Sequence, residues 1–159
     1  MQLFVVRHGI AEDAELGQPD DERALTKDGR AKFRQVVKGL RALDVTFERL
    51  LTSPWKRAQQ TAKLLRPVCK VMPIVTDLLS QPPRAELLTA LADGTDVTAV
   101  VGHEPWLSEL VAWLAFGDTK HHDALDLKKG GVVWLDGDPI PGGMELKAFL
   151  PPKLLRSAG

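Results

Sequence analysis

A chain of 159 residues holds about one domain's worth of structure, and the expectation is a single domain over residues 1–159. With 44% hydrophobic and 26% charged residues, a disordered, collagenous or disulfide-scaffold class is excluded. Lys and Arg (21) balance Asp and Glu (21), so no global field draws the chain to nucleic acid or anionic lipid, and any bound anion must be held by a local cluster.

Leu3-Phe4-Val5-Val6 reads as a buried strand that stops abruptly at Arg7-His8-Gly9. From Ile10 to Arg23 the chain is acidic, with Gly17 and Pro19, and reads as a loop. Thr26 is placed to cap a helix whose Phe33, Val36, Val37, Leu40 and Leu43 recur on one apolar face. Leu50-Leu51-Thr52 predicts a second strand end, after which Ser53 caps and Pro54 opens a helix running to about Arg66. Pro67 ends it, Val71 to Val75 predicts a third short strand, and Pro82-Pro83 opens a helix carrying Leu87, Leu88 and Leu91 to about Gly94.

Val97 to Val101 predicts a further strand, ending in Gly102-His103-Glu104-Pro105. Pro105 opens another helix, with Trp106, Leu107, Leu110, Val111, Trp113 and Leu114 on a broad apolar stripe that places both tryptophans in the core. A polar stretch through Lys129 includes His121-His122, which without a spaced ligand set reads as a solvated loop rather than a metal site. Val132 to Leu135 and Leu146 to Leu150 predict two strands, placed as an edge hairpin. Strands alternating with helices predict a three-layer α/β/α sandwich with a largely parallel central sheet and a C-terminal antiparallel hairpin at its edge. Cys69 has no disulfide partner and reads as core filler. The apolar runs are shorter than a membrane span and the N-terminus lacks a signal core, so a cytoplasmic location is the default expectation, with neither membrane nor nucleic acid as a partner.

Three strand ends carry unusual residues: Arg7-His8, Ser53 with Arg57 a helical turn later, and His103. Ligands of open α/β sheets bind at the carboxyl ends of strands. If these strands are neighbours, two arginines, two histidines and a helix N-terminus converge on one anion, and the expected anion is a phosphoryl group. Arginine forks hold its oxygens, and an imidazole neutral at pH 7 can attack phosphorus through a ring nitrogen. Four such donors leave no need for a metal ion or other cofactor.

Arg7-His8-Gly9, Ser53-Pro54-Trp55-Lys56-Arg57-Ala58-Gln59-Gln60-Thr61-Ala62 and Val101-Gly102-His103-Glu104-Pro105 together resemble the histidine phosphatase superfamily, which includes the phosphoglycerate mutases. The resemblance runs from about Phe4 to Pro151. Within the superfamily it points to the short SixA-type phosphohistidine phosphatases, through the compact length, Arg23-Ala24-Leu25-Thr26-Lys27-Asp28-Gly29 and the ending Leu150-Pro151-Pro152. It implies that His8 is the phosphorylated nucleophile, that Arg7, Arg57 and His103 hold the phosphoryl oxygens, and that Arg23 is a fifth contact or else pairs with Asp20 or Asp21. For the proton donor, Asp77 is the candidate ahead of Glu12 and Asp13, though it departs from the Glu pattern of larger members. A weak acid suits a phosphoramidate, whose imidazole leaves more easily than an alkoxide. The expected activity is hydrolysis of phosphohistidine on a protein such as a histidine-containing phosphotransfer domain. A small-ester phosphomonoesterase and a non-catalytic phosphate-binding module are the alternatives.

Overall fold

In β1 (Gln2–Arg7) successive side chains point to opposite faces, Leu3 and Val5 into one hydrophobic cluster and Phe4 and Val6 into another. A strand buried on both faces reads as an unbroken apolar run. The computed structural model describes residues 1–94 and 96–159. Its remaining strands are β2 (Arg49–Thr52), β3 (Ile74–Val75), β4 (Val97–Gly102), β5 (Val132–Gly137) and β6 (Met144–Leu150). They form one sheet in the order β3-β2-β4-β1-β5-β6. The first four of these are parallel, and β5 and β6 make an antiparallel hairpin at the edge.

Helices α1 (Lys27–Ala42), α2 (Lys56–Leu64) and α5 (Pro152–Ala158) cover the face of Phe4 and Val6, burying Phe33, Leu40, Ala58, Ala62 and Leu155 there. Helices α3 (Ala85–Ala92) and α4 (Trp106–Phe116) cover the other face with Leu87, Leu91, Leu107, Leu110 and Leu114. The result is the expected α/β/α sandwich with a largely parallel sheet. Burial of each such Leu or Phe contributes roughly 1.5–3 kcal/mol, so the two clusters are the main source of stability. No helix among the described residues is long and apolar enough to cross a membrane.

Thr26 caps α1 as its position predicts, its Oγ1 accepting from the Gly29 amide at 2.7 Å. Elsewhere the boundaries move. Helix α2 begins at Lys56 rather than Pro54, because Ser53 Oγ accepts from the Trp55 amide in a tight turn before the helix starts. Helices α3 and α4 begin at Ala85 and Trp106, beyond the prolines expected to open them. The third strand shrinks to Ile74–Val75, the part beyond Pro73 that pairs with β2. Leu43 lies past the end of α1 and is exposed, and Cys69 is half-buried, with Sγ donating to the Val71 carbonyl at 3.1 Å, rather than a core residue. The loop from Ile10 contains a short helical turn, Asp20–Glu22, and an isolated bridge from Ala11 to Leu25. Helix α5 has no counterpart among the sequence expectations.

The strand register sets up the functional end of the sheet. Arg7 pairs with Gly102 and Thr52 pairs with Val101, so β1, β4 and β2 terminate side by side. His8, His103 and Ser53 therefore leave the sheet at one place, tied by hydrogen bonds from the His8 amide to Gly102 O (3.2 Å) and from the Ser53 amide to Val101 O (3.0 Å).

Candidate active site

Immediately beyond β1, His8 is only 5% exposed, and its Nδ1 lies 2.7 Å from the Gly9 carbonyl oxygen. A carbonyl can only accept, so Nδ1 carries the proton and Nε2 keeps its lone pair. Arg57, in the first turn of α2, points its Nε–H at that lone pair across 3.2 Å. Thr61 braces the pair, accepting from the Gly9 amide (3.0 Å) and donating to the Arg57 carbonyl (2.7 Å).

His103 follows β4, with its Nε2 2.7 Å from Ser53 Oγ and its ring centroid 5.2 Å from that of His8. Its Nδ1 is buried without a hydrogen-bond partner, as is Nε of Arg7. Arg7 is anchored through Nη1, which donates to the Leu127 carbonyl at 2.8 Å. Buried polar nitrogens ordinarily find partners, so two orphans on residues of one cavity lining can serve acceptor oxygens, His103 Nδ1 in the tautomer whose Nε2 accepts from the Ser53 hydroxyl.

Burial lowers the pKa of His8 to about 3, with Arg57, Arg7 and Lys129 adding to the shift and the Gly9 carbonyl opposing it. His103 is lowered to about 3 as well, first by burial and then by the charges of His8 and Arg57. Both imidazoles are thus neutral near pH 7, and a neutral ring with an unprotonated Nε2, as in His8, is a nucleophile. Burial also lowers the pKa of Arg7 and Arg57, although guanidinium groups stay charged at any ordinary pH.

These groups line a cavity of about 410 Å³ together with Asp20, Arg23, Trp55, Glu104, Trp106 and Lys129. Arg7, His8, Arg57 and His103 are brought together there as the sequence predicts. Arg23 lines the cavity too, but its Nε is held by Asp20 Oδ1 at 2.7 Å and its Nη1 by the Glu12 carbonyl at 3.0 Å. Asp77 is exposed at the start of the helical turn Asp77–Leu79, outside this lining. Trp106, expected in the core, instead presents its ring edge-on to His103 with centroids 6.1 Å apart.

Besides Trp106, four lining residues were not expected in the site. Trp55 lies under the Arg57 guanidinium, 4.7 Å from ring centroid to carbon, and beside His103 at 4.4 Å. Glu104 is half-buried, and burial raises its pKa against the opposing pull of Ser108 and Arg7. Both belong to the motifs quoted above, so their nearness to Arg57 and His103 was available as a signal. Asp20 and Lys129 come from irregular segments whose path periodicity does not describe.

Comparison with known proteins agrees with this geometry. The family model of the histidine phosphatase superfamily (branch 1) matches residues 3–80. An uncharacterised protein of Picosynechococcus sp. is 38% identical over 142 residues, 85% of this chain and 84% of that protein. The phosphohistidine phosphatase SixA of Escherichia coli is 33% identical over 137 residues, 75% of this chain and 77% of that one. A solved structure of the protein histidine phosphatase SixA complexed with tungstate superposes with a TM-score of 0.80 at 27% identity, covering 98% of this chain and 99% of that chain.

Proposed function

Since the chain belongs to the histidine phosphatase superfamily, we propose that it is a phosphatase that hydrolyses phosphohistidine on a protein, through a phosphorylated His8. The observation that carries this reading is the unprotonated His8 Nε2 among donors, with Arg57 Nε–H facing it and the orphan nitrogens of Arg7 and His103 in the same cavity lining. Similarity to SixA supports phosphohistidine as the substrate class.

In the first step His8 Nε2 attacks phosphorus as the P–N bond of the substrate breaks. Arg7, Arg57 and His103 take the equatorial oxygens, where the transferring group carries its charge. Their donors supply the neutralisation that a metal ion provides in other phosphoryl-transfer sites. As the bond forms, the His8 ring becomes positive, and the Gly9 carbonyl at Nδ1–H is already oriented to stabilise it. Glu104 is the carboxyl group of the cavity that burial holds toward its protonated form, and it gives a proton to the departing imidazole. In the second step water attacks the phosphohistidine of His8. Glu104 recovers a proton from that water, inorganic phosphate leaves, and His8 Nε2 regains its lone pair.

The test is competitive turnover of a phosphohistidine-containing protein against glycerol phosphate, phosphoserine and nucleotide monophosphates. A kcat/KM at least tenfold higher for phosphohistidine is expected. Preference for any of the esters would overturn the substrate assignment while leaving the phosphatase chemistry intact.

A further inference from the structure

We propose that Asp20 is a positioning residue: it grips the far end of the Arg57 guanidinium, so that the fork facing His8 is aimed, and it sets a fixed negative charge against the incoming phosphoryl group. The inference rests on the phosphoryl-transfer reading of the cavity.

Arg57 is nine-tenths buried, and the structure accounts for its nitrogens one by one. Nη1 donates to the Asp20 carbonyl at 2.7 Å, Nη2 donates to Asp20 Oδ2 at 3.0 Å, and Nε faces His8 Nε2. A guanidinium is planar and rigid, with Nε–H parallel to one N–H of Nη2. Holding both Nη atoms from one residue fixes the plane, and the Nε/Nη2 fork is then turned toward His8. The Trp55 ring 4.7 Å away covers one face of the same plane.

Asp20 is itself fixed. Pro19, with φ −59°, precedes the helical turn Asp20–Glu22, and the Asp20 carbonyl also accepts from the Arg23 amide at 3.3 Å. Its second carboxylate oxygen accepts from Arg23 Nε at 2.7 Å. The order of contacts is therefore Arg23, Asp20, Arg57, His8. This also gives Arg23 a use that does not require it to touch the substrate.

A carboxylate placed here has two opposite effects. It orients the fork for the transition state, where a small misplacement is costly. It also offsets the charge of Arg57 and repels a dianion, which weakens ground-state capture without slowing chemistry. A residue that merely supported the fold would not separate these effects.

The experiment compares wild type, Asp20→Asn and Asp20→Glu. Calorimetry gives the dissociation constant for inorganic phosphate, and single-turnover labelling gives the rate of phosphoryl transfer to His8, which product release does not enter. In Asp20→Asn the transfer rate is expected to fall about tenfold while phosphate binds about threefold more tightly. Asp20→Glu, which restores the charge, should return both values to within about twofold of wild type. An unchanged transfer rate in Asp20→Asn would overturn the proposal, and so would a slower rate accompanied by unchanged or weaker phosphate binding. A wild-type chain that binds no phosphate would instead remove the functional reading on which the proposal stands.

Discussion

His8 Nδ1 and the carbonyl oxygen of Gly9 lie 2.7 Å apart, and this contact between chain neighbours decides which imidazole nitrogen is free. The proton is held by a group that cannot donate, so the lone pair is directed to Nε2, where Arg57 Nε approaches at 3.2 Å. When a phosphoryl group arrives, that Arg57 N–H can pass from His8 to a phosphoryl oxygen, leaving the lone pair unshared for attack.

Replacement of His8 by Ala should therefore abolish turnover, by about a thousandfold or more, and eliminate the acid-labile phosphoenzyme. Phosphate binding should survive in this variant, since the arginines remain. Rapid acid quench with a labelled phosphohistidine substrate makes the measurement. A labelled, acid-labile adduct in His8→Ala would place the nucleophile elsewhere.

The buried imidazoles also link folding to pH. Each has a folded pKa of about 3 against an ordinary value of 6.5, so between those values the unfolded chain binds more protons than the folded one. Stability is accordingly full above pH 6.5 and falls as the pH drops toward 3, by up to about 1.4 kcal/mol per pH unit for each ring. Urea midpoints at pH 7 and pH 5 should fall more steeply for wild type than for His8→Asn. Parallel losses would contradict the assigned protonation states. Bound phosphate should raise the His103 pKa, observable as a shift of its ring signals in a nitrogen-15 titration.

Residues on the strands and at their ends were the ones readable in advance. Arg7 ends a strand and His8, Arg57 and His103 each follow one within a few residues, and the apolar runs of β1, β2 and β4 announce those ends without any tertiary information. Sequence spacing cannot show which loop folds over the ends, so Asp20, outside every long element, was visible only as a partner for Arg23. Asp77 looked suitable because it follows a strand, but β3 is two residues long and stands at the sheet edge, away from β1 and β4. Trp106 shared a period with core residues, yet the first turn of a helix that starts at a site has one side on the cavity. Helix α5 is seven residues long, too short to be stable alone or to show a period, and it exists through packing on α1.

That packing is close at Gly39, where a methyl group would overlap the backbone carbonyl of Leu155. Gly39→Ala gains up to about 1 kcal/mol of helix propensity in α1. Because the obstacle is backbone rather than a flexible side-chain tip, overpacking of about 1–3 kcal/mol is expected to prevail. Chemical denaturation should show a net loss, with transfer to His8 little changed because Gly39 lies outside the cavity lining. A stabilised Gly39→Ala protein would mean that α5 moves aside at no cost.

Glu104 supplies the last test, because its importance should depend on what leaves. Its Oε1 accepts from the Ser108 amide at 3.1 Å in the first turn of α4, and burial favours its protonated form over the opposing influences of Ser108 and Arg7. An imidazole departs readily and can take its proton from water, whereas an alkoxide needs a proton delivered during bond cleavage. Glu104→Gln keeps a hydrogen-bond acceptor for Ser108 but cannot give up a proton. The rate of phosphoryl transfer from phosphohistidine to His8 should fall only severalfold, while any transfer from an alkyl ester such as glycerol phosphate should fall about 10²–10⁴-fold. The comparison is made as the single-turnover rate of transfer to His8 for both substrates on one preparation, which the shared water step does not enter, with wild type alongside. Equal losses on the two substrates would show that Glu104 shapes the cavity and does not deliver the proton.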